Sequence, residues 1–103
     1  MTGLSTHVLD AVSGSPATGL AVTLQDASGT VLSEGTTDAD GRISQVNTTP
    51  LIAGIYHLVF VTGSWFSEND IKAFYPEVDI CFEVDYPERH YHVPVLLSPF
   101  AYS

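Results

Sequence analysis

Apolar and polar residues alternate with a period of two along most of this chain, a pattern that predicts β-strands. In the first such segment, residues 4–9, alternate positions form an apolar face, and Ser5 and His7 lie on the opposite face. Residues 55–61 are rich in β-branched and aromatic side chains and form the strongest predicted strand. Other predicted strands are 20–24, 30–34, a short strand that starts at Arg42, 78–84, 90–97 and a final piece at 100–103.

A single helix, predicted over residues 68–74, interrupts these strands. Ser64 or Ser67 would cap it, Glu68 and Asp70 would lie in its first turn, and Pro76 would end it. Seven or eight short strands at spacings of about 8–12 residues, with one helix, predict an all-β fold, namely a β-sandwich.

Length, composition and charge limit the classes of protein. The chain has 103 residues, which predicts one domain spanning 1–103. Its apolar content of 45% and charged content of 15% exclude a disordered chain. No run of 18 apolar residues occurs, so no membrane-spanning segment is predicted. Twelve acidic residues against three basic ones give a net charge of −9, which argues against nucleic-acid binding and anionic membranes.

Cysteine content and the first residues predict the compartment. The segment after Met1 has neither the basic stretch nor the apolar region of a secretory signal. Cys81 is the single cysteine, which excludes an internal disulfide and fits a reducing compartment. Together these features predict a cytoplasmic location.

His90 and His92 project from the same face of the predicted strand 90–97, because they are two residues apart. The opposite face is aromatic and aliphatic and is expected to join the core. The histidine face then has three interpretations: a solvated surface, general acid–base catalysis, or metal ligation with a third ligand from elsewhere. His57, within the strand 55–61, is predicted to be structural or on the surface.

His7 and Arg42 are two further candidates for chemistry. If residues 4–9 and 90–97 lie in one sheet, His7 and His92 could meet on its outer face. Arg42 follows a turn, and its guanidinium offers a planar pair of donors to a carbonyl or enolate-like oxygen. The alternative for Arg42 is an ion pair with Asp38 or Asp40.

Three stretches carry a resemblance to a known family: residues 4–10 (Leu-Ser-Thr-His-Val-Leu-Asp), 37–42 (Thr-Asp-Ala-Asp-Gly-Arg) and 90–99 (His-Tyr-His-Val-Pro-Val-Leu-Leu-Ser-Pro). In order and spacing they are similar to the 5-hydroxyisourate hydrolases, the transthyretin-related enzymes of urate breakdown. The resemblance covers essentially the whole chain. Its His-Tyr-His-Val-Pro stretch is specific, since transthyretin itself, the hormone carrier, is similar in fold but lacks the two histidines and the arginine.

The resemblance implies a prealbumin-like sandwich of two four-stranded sheets that assembles as a homotetramer, with active sites at the dimer–dimer interface. His7, Arg42 and His92 occupy the positions of the family's catalytic residues, and His90 is a further candidate for substrate binding. The implied reaction converts 5-hydroxyisourate to 2-oxo-4-hydroxy-4-carboxy-5-ureidoimidazoline without metal or cofactor. An imidazole would activate water, and Arg42 would stabilise the oxyanion.

The resemblance also raises an expectation about activity. The family usually continues with Tyr-Arg-Gly-Ser shortly after the position of Ser103, and those residues contribute to the site. The printed sequence holds none of them. The tail was removed, was not recorded, or is absent from an impaired relative, and these three alternatives stay open for the activity of this chain. Two other classes stay open: a transthyretin-like carrier that binds a small aromatic ligand in a channel without catalysis, and a structural β-sandwich module.

Overall fold

A computed structural model describes residues 3–103 of the chain. Residues 1 and 2 lie outside the described residues, although the predicted domain 1–103 and the interpretation of the first segment include them. The elements in chain order are β1 (Leu4–Asp10), β2 (Ser15–Pro16), β3 (Ala21–Asp26), β4 (Val31–Thr36), β5 (Arg42–Ile43), β6 (Gly54–Phe60), α1 (Thr62–Glu68), β7 (Val78–Val84), β8 (Tyr91–Ser98) and β9 (Ala101–Tyr102).

The strands form two sheets, which confirms the predicted all-β sandwich. One sheet has the order β2-β1-β8-β9, with β5 also paired to β1, and the other has the order β4-β3-β6-β7. The pair β1–β8 is parallel, and the other pairs are antiparallel. Within residues 3–103 there are nine strands where seven or eight were predicted. The two-residue strand β2, which none of the predicted strands includes, accounts for the excess.

The core lies between the sheets and follows the predicted alternation. In β1, Leu4, Thr6 and Val8 are buried, whereas Ser5 and His7 are half-buried on the other face. In β8 the buried side chains come from the aliphatic face, and His92 is exposed. The remaining fully buried apolar side chains come mainly from the second sheet, the residue before β3 and α1, and they include Leu20, Val22, Leu24, Leu58, Phe60 and Phe66. Burial on one face leaves the opposite face of β1 and β8 available for chemistry.

The predicted position of the helix is wrong. The structure places α1 at Thr62–Glu68, without a side-chain cap and without acidic residues in its first turn. Packing decides its position, because Phe66 is buried in the core and Trp65 donates a hydrogen bond from Nε1 to the Thr18 carbonyl at 2.7 Å. The helix ends where Asp70 takes a left-handed conformation with φ of 58°. Within residues 3–103 no helix has the length and apolar character needed to cross a membrane.

Candidate active site

Strand register brings the predicted site residues onto one face of the β5-β1-β8 sheet. Arg42 of β5 lies directly opposite His7 of β1 in an antiparallel pair. On the other side of β1, Ser5 lies opposite His92 and His7 lies opposite Pro94 in the parallel pair with β8. Directly paired residues point to the same side of a sheet. Arg42, His7 and His92 therefore share one outer face, and the predicted condition that residues 4–9 and 90–97 lie in one sheet is met.

A tight turn positions Arg42 for this face. The Asp38 carboxylate accepts hydrogen bonds from the backbone N–H groups of Asp40 at 2.9 Å and Arg42 at 3.0 Å. Gly41 precedes Arg42 with φ of 73°, a conformation that favours glycine. The Gly41 carbonyl accepts a hydrogen bond from the Val8 N–H at 2.8 Å, which ties the turn to β1. Arg42 thus begins β5 in a fixed register with His7.

The guanidinium of Arg42 is not held by a neighbouring carboxylate. Within residues 3–103 the structure contains no ion pair between Arg42 and Asp38 or Asp40, so that alternative is wrong. The Asp38 carboxylate binds backbone N–H groups instead. The hydrogen bond from the Arg42 backbone lowers the pKa of Asp38, and the charges of Arg42 and His7 lower it further. The side chain of Arg42 keeps its donors for another acceptor.

Ser5 links the two histidines of the His-Tyr-His stretch. Its hydroxyl oxygen lies 2.8 Å from Nδ1 of His92 and 2.8 Å from Nε2 of His90. His90 is placed by the loop before β8, where the hydroxyl of Tyr91 accepts hydrogen bonds from two backbone N–H groups of residues 85 and 86. Sequence reasoning did not single out Ser5. Its position two residues before His7, on the same outward face, was the available signal.

A small cleft of about 200 Å³ opens beside this network. Its lining residues are Ser5, Thr6, Arg42, Ile43, Ser44 and His92. His7 does not line the cleft itself, although it lies directly opposite Arg42 in the sheet. A larger cavity of about 530 Å³ lies elsewhere, between β3, β4 and residues 47–56, and none of the predicted site residues lines it. Of the predicted site residues, Arg42 and His92 therefore line this cleft.

The electrostatic environment favours an uncharged imidazole at His92. Partial burial of the ring lowers the pKa of His92 below its ordinary value, and the positive charges of Arg42, His7 and His90 lower it further. A neutral imidazole has one nitrogen lone pair that can take a proton. Nδ1 of His92 is engaged by Ser5, and the tautomer that this contact holds decides whether Nε2 carries the lone pair.

The remaining histidine, His57, lies away from this face. His57 belongs to β6 in the second sheet, where its Nδ1 lies 2.8 Å from the Asp79 carboxylate on β7.

Within residues 3–103 no group of three or more His, Cys, Asp and Glu side chains is placed to hold a metal ion. Independence from metal stays a prediction.

Fold and site together define a class: a transthyretin-like β-sandwich that carries histidines and an arginine on the outer face of one sheet. A family model described as the HIUase/Transthyretin family matches residues 4–103. The chain belongs to that family.

Individual relatives agree with this assignment. The 5-hydroxyisourate hydrolase of Salmonella typhimurium is 40% identical over 104 residues, which cover 97% of this chain and 76% of the relative. The solved structure of Klebsiella pneumoniae 5-hydroxyisourate hydrolase has a TM-score of 0.90 at 37% identity, over 100% of this chain and 90% of that chain. Sea bream transthyretin in complex with thyroxine has a TM-score of 0.88 at 34% identity, over 97% and 90%. The family therefore contains both enzymes and a hormone-binding protein of this fold.

Proposed function

We propose that this chain hydrolyses 5-hydroxyisourate to 2-oxo-4-hydroxy-4-carboxy-5-ureidoimidazoline, a step of urate catabolism. The observation that carries the proposal is the shared outer face of His7, Arg42 and His92, in a chain 40% identical to a 5-hydroxyisourate hydrolase. The substrate is a small, planar ring rich in carbonyl groups. Such a molecule suits a small cleft that offers a guanidinium and imidazoles.

The proposed mechanism uses water activated by an imidazole. His92 removes a proton from water, and the water oxygen bonds to the ring carbonyl carbon between nitrogen and the hydroxyl-bearing carbon. Arg42 stabilises the negative oxygen, a contribution of about 3–4 kcal/mol if it equals an oxyanion-hole donor. The carbon–nitrogen bond then breaks, its electron pair goes to nitrogen, and His7 supplies the proton. The lowered pKa of His92, which follows from partial burial and neighbouring charges, supports its role as the base.

Loss of a single imidazole tests this mechanism. Hydroxyisourate, generated fresh from urate, is followed as it decays with wild type, with His92→Asn and with His57→Asn. We expect His92→Asn to slow the enzymatic decay by about 10²–10⁴-fold, the usual contribution of a general base. His57→Asn is the matched control, because His57 lies in the other sheet. Equal rates for His92→Asn and wild type would remove His92 from the mechanism.

We also propose that the chain forms a homotetramer with the sites at the dimer–dimer interface. Beyond the histidines, the outer face of β1 and β8 is apolar, since Leu9 lies opposite Leu96 and the two are 37% and 44% exposed. Exposed apolar patches of this kind mark interaction surfaces. A monomeric mass by light scattering would contradict the assembly and would favour a structural module.

The same proposal covers organisation, location and excluded partners. Residues 1–103 act as one transthyretin-like domain in the cytoplasm, and the substrate is the small-molecule partner. The net charge of −9 supports the absence of nucleic-acid binding, because a negative surface repels phosphate.

The second candidate function is a carrier without catalysis, which the similarity to sea bream transthyretin favours. Thyroxine binding measured by calorimetry, combined with unaccelerated hydroxyisourate decay, would support the carrier. Accelerated decay that depends on His92 would support the hydrolase.

A further inference from the structure

One hydroxyl group lies between two imidazoles at this site. Ser5 Oγ is 2.8 Å from both His92 Nδ1 and His90 Nε2, and Ser5 lies directly opposite His92 across the β1–β8 pair. The next residue, Thr6, donates a hydrogen bond to the Val93 carbonyl at 2.7 Å, which secures the register of the two strands. The position of the Ser5 oxygen is therefore set by paired backbone and not by a mobile loop.

Counting protons limits what these two contacts can be. A serine hydroxyl has one proton to donate and two lone pairs that accept. If the hydroxyl donated to His92 Nδ1, the His92 proton would be on Nε2, and that nitrogen could not take a proton from water. If the hydroxyl donates to His90 Nε2, then His92 Nδ1–H donates to Ser5, and His92 Nε2 keeps its lone pair.

The charge of the cleft favours the second arrangement. Arg42 and His92 both line it, and Arg42 has no carboxylate partner within residues 3–103. A positive charge interacts better with a nitrogen lone pair than with an N–H group, since the lone pair is the negative end of the imidazole dipole. His7, on the neighbouring strand, adds to the same field when it is protonated.

We propose that Ser5 is a positioning residue, whose oxygen accepts the His92 Nδ1–H while its own proton goes to His90 Nε2. This arrangement holds His92 in the tautomer with a bare Nε2, the form that removes a proton from water. The proposal rests on the proposed function, because it assigns His92 the role of the base. In this arrangement His90 orients the Ser5 hydroxyl and acts on the substrate only through Ser5 and His92.

Imidazole nitrogen NMR tests the tautomer directly. ¹⁵N-labelled wild type, Ser5→Ala and Ser5→Thr are compared at a pH where the His92 ring is neutral. In wild type we expect a proton-bearing Nδ1 and a bare Nε2 at His92. Ser5→Ala should shift His92 towards the Nε2–H form that free imidazole side chains prefer. Ser5→Thr keeps the hydroxyl, suits a β-strand and should keep the wild-type spectrum.

Kinetics provide the second readout. We expect kcat to fall about 3- to 10-fold in Ser5→Ala, the factor that corresponds to one neutral hydrogen bond, with KM nearly unchanged. Ser5→Thr should restore kcat. Thermal unfolding of each variant is measured alongside, so that a loss of folding is recognised.

The outcomes separate this inference from the proposed function. A wild-type His92 that carries its proton on Nε2 would overturn the role of Ser5, whatever the activity. A spectrum and kcat unchanged in Ser5→Ala would also overturn it, while His92→Asn still decides the hydrolase mechanism. A wild type with the Nδ1–H tautomer but without hydrolysis would support the hydrogen-bond arrangement and refute the proposed function.

Discussion

Replacing Gly41 with alanine should disturb the active-site face through the turn that carries Arg42. A Cβ atom at Gly41 would lie 2.3 Å from the Val8 carbonyl oxygen, 3.1 Å from Pro16 Cβ and 3.2 Å from the Ala17 nitrogen. All three neighbours belong to paired or hydrogen-bonded parts of the sheet, so none can swing aside like the end of a long side chain. The backbone of Gly41 also has φ of 73°, which alanine adopts with strain.

The expected loss of stability in Gly41→Ala has two parts, backbone strain and steric overlap. A control substitution at Gly19 separates the two. Gly19 has φ of 75°, and a Cβ atom added there would meet nothing within 4 Å, so Gly19→Ala measures the conformational strain alone. We expect that strain to lower the free energy of unfolding by about 1–2 kcal/mol. The steric overlap at Gly41 adds about 1–3 kcal/mol, as overpacking does elsewhere. Gly41→Ala should therefore cost about 2–5 kcal/mol in total.

Activity should respond to the same overlap. The turn or β1 has to move by about 0.7 Å before the Cβ–oxygen contact reaches the shortest separation that real structures show, and displacements near 1 Å can cost about 10²-fold in rate. We expect kcat/KM for hydroxyisourate to fall by about 10-fold or more in Gly41→Ala and to stay near wild type in Gly19→Ala.

Urea unfolding at a fixed protein concentration and the hydroxyisourate decay assay measure the two effects. The m-values of the variants should match wild type, because the unfolding reaction exposes the same surface. Equal stability and equal kcat/KM for Gly41→Ala and Gly19→Ala would refute the reasoning, since the steric overlap would then have no consequence.

Four further outcomes are expected. Thr62→Val should raise stability by about 1 kcal/mol, because Thr62 Oγ1 is buried without a partner in the described part of the chain. Thr37→Val should instead lower the free energy of unfolding by about 2–4 kcal/mol, because the Thr37 hydroxyl donates to the Ala17 carbonyl at 2.6 Å and accepts from the Leu20 N–H at 2.9 Å. Urea unfolding measures both variants, and changes of the opposite sign would contradict these two expectations. Arg42→Gln should raise the pKa of His92 in an NMR titration, because it removes a positive charge that lowers that pKa alongside partial burial; a fall would be inconsistent. A chelator should leave the hydroxyisourate decay rate unchanged, and a loss of rate would contradict the predicted independence from metal.

The alternation of polar and apolar residues predicted the strands well, because strand geometry and burial of one face require the same pattern. Leu4, Thr6 and Val8 were assigned to one face of β1, and all three are buried. The helix was misplaced because its local signals compete with packing. Glu68 was expected in the first turn of the helix, but it is the last helical residue. The helix lies earlier in the chain because Phe66, which belongs to it, is buried in the core.

The sequence by itself determined which side chains face outward. His7 alternates with buried neighbours, and His92 alternates with half-buried neighbours that pack against the core. Because side chains alternate between the two faces of a strand, both imidazoles have to lie on the outer face. It also determined that Arg42 begins a strand, because a turn of aspartates and glycine precedes it.

Tertiary structure decided which of these residues are neighbours. Ser5 and His92 are 87 residues apart, and the parallel register of β1 with β8 alone places them opposite one another. A shift of that register by one residue would turn one strand's side chains to the other face, and the hydroxyl would lose both imidazoles. No local pattern encodes such a register, because it depends on how the two sheets bury their apolar faces together.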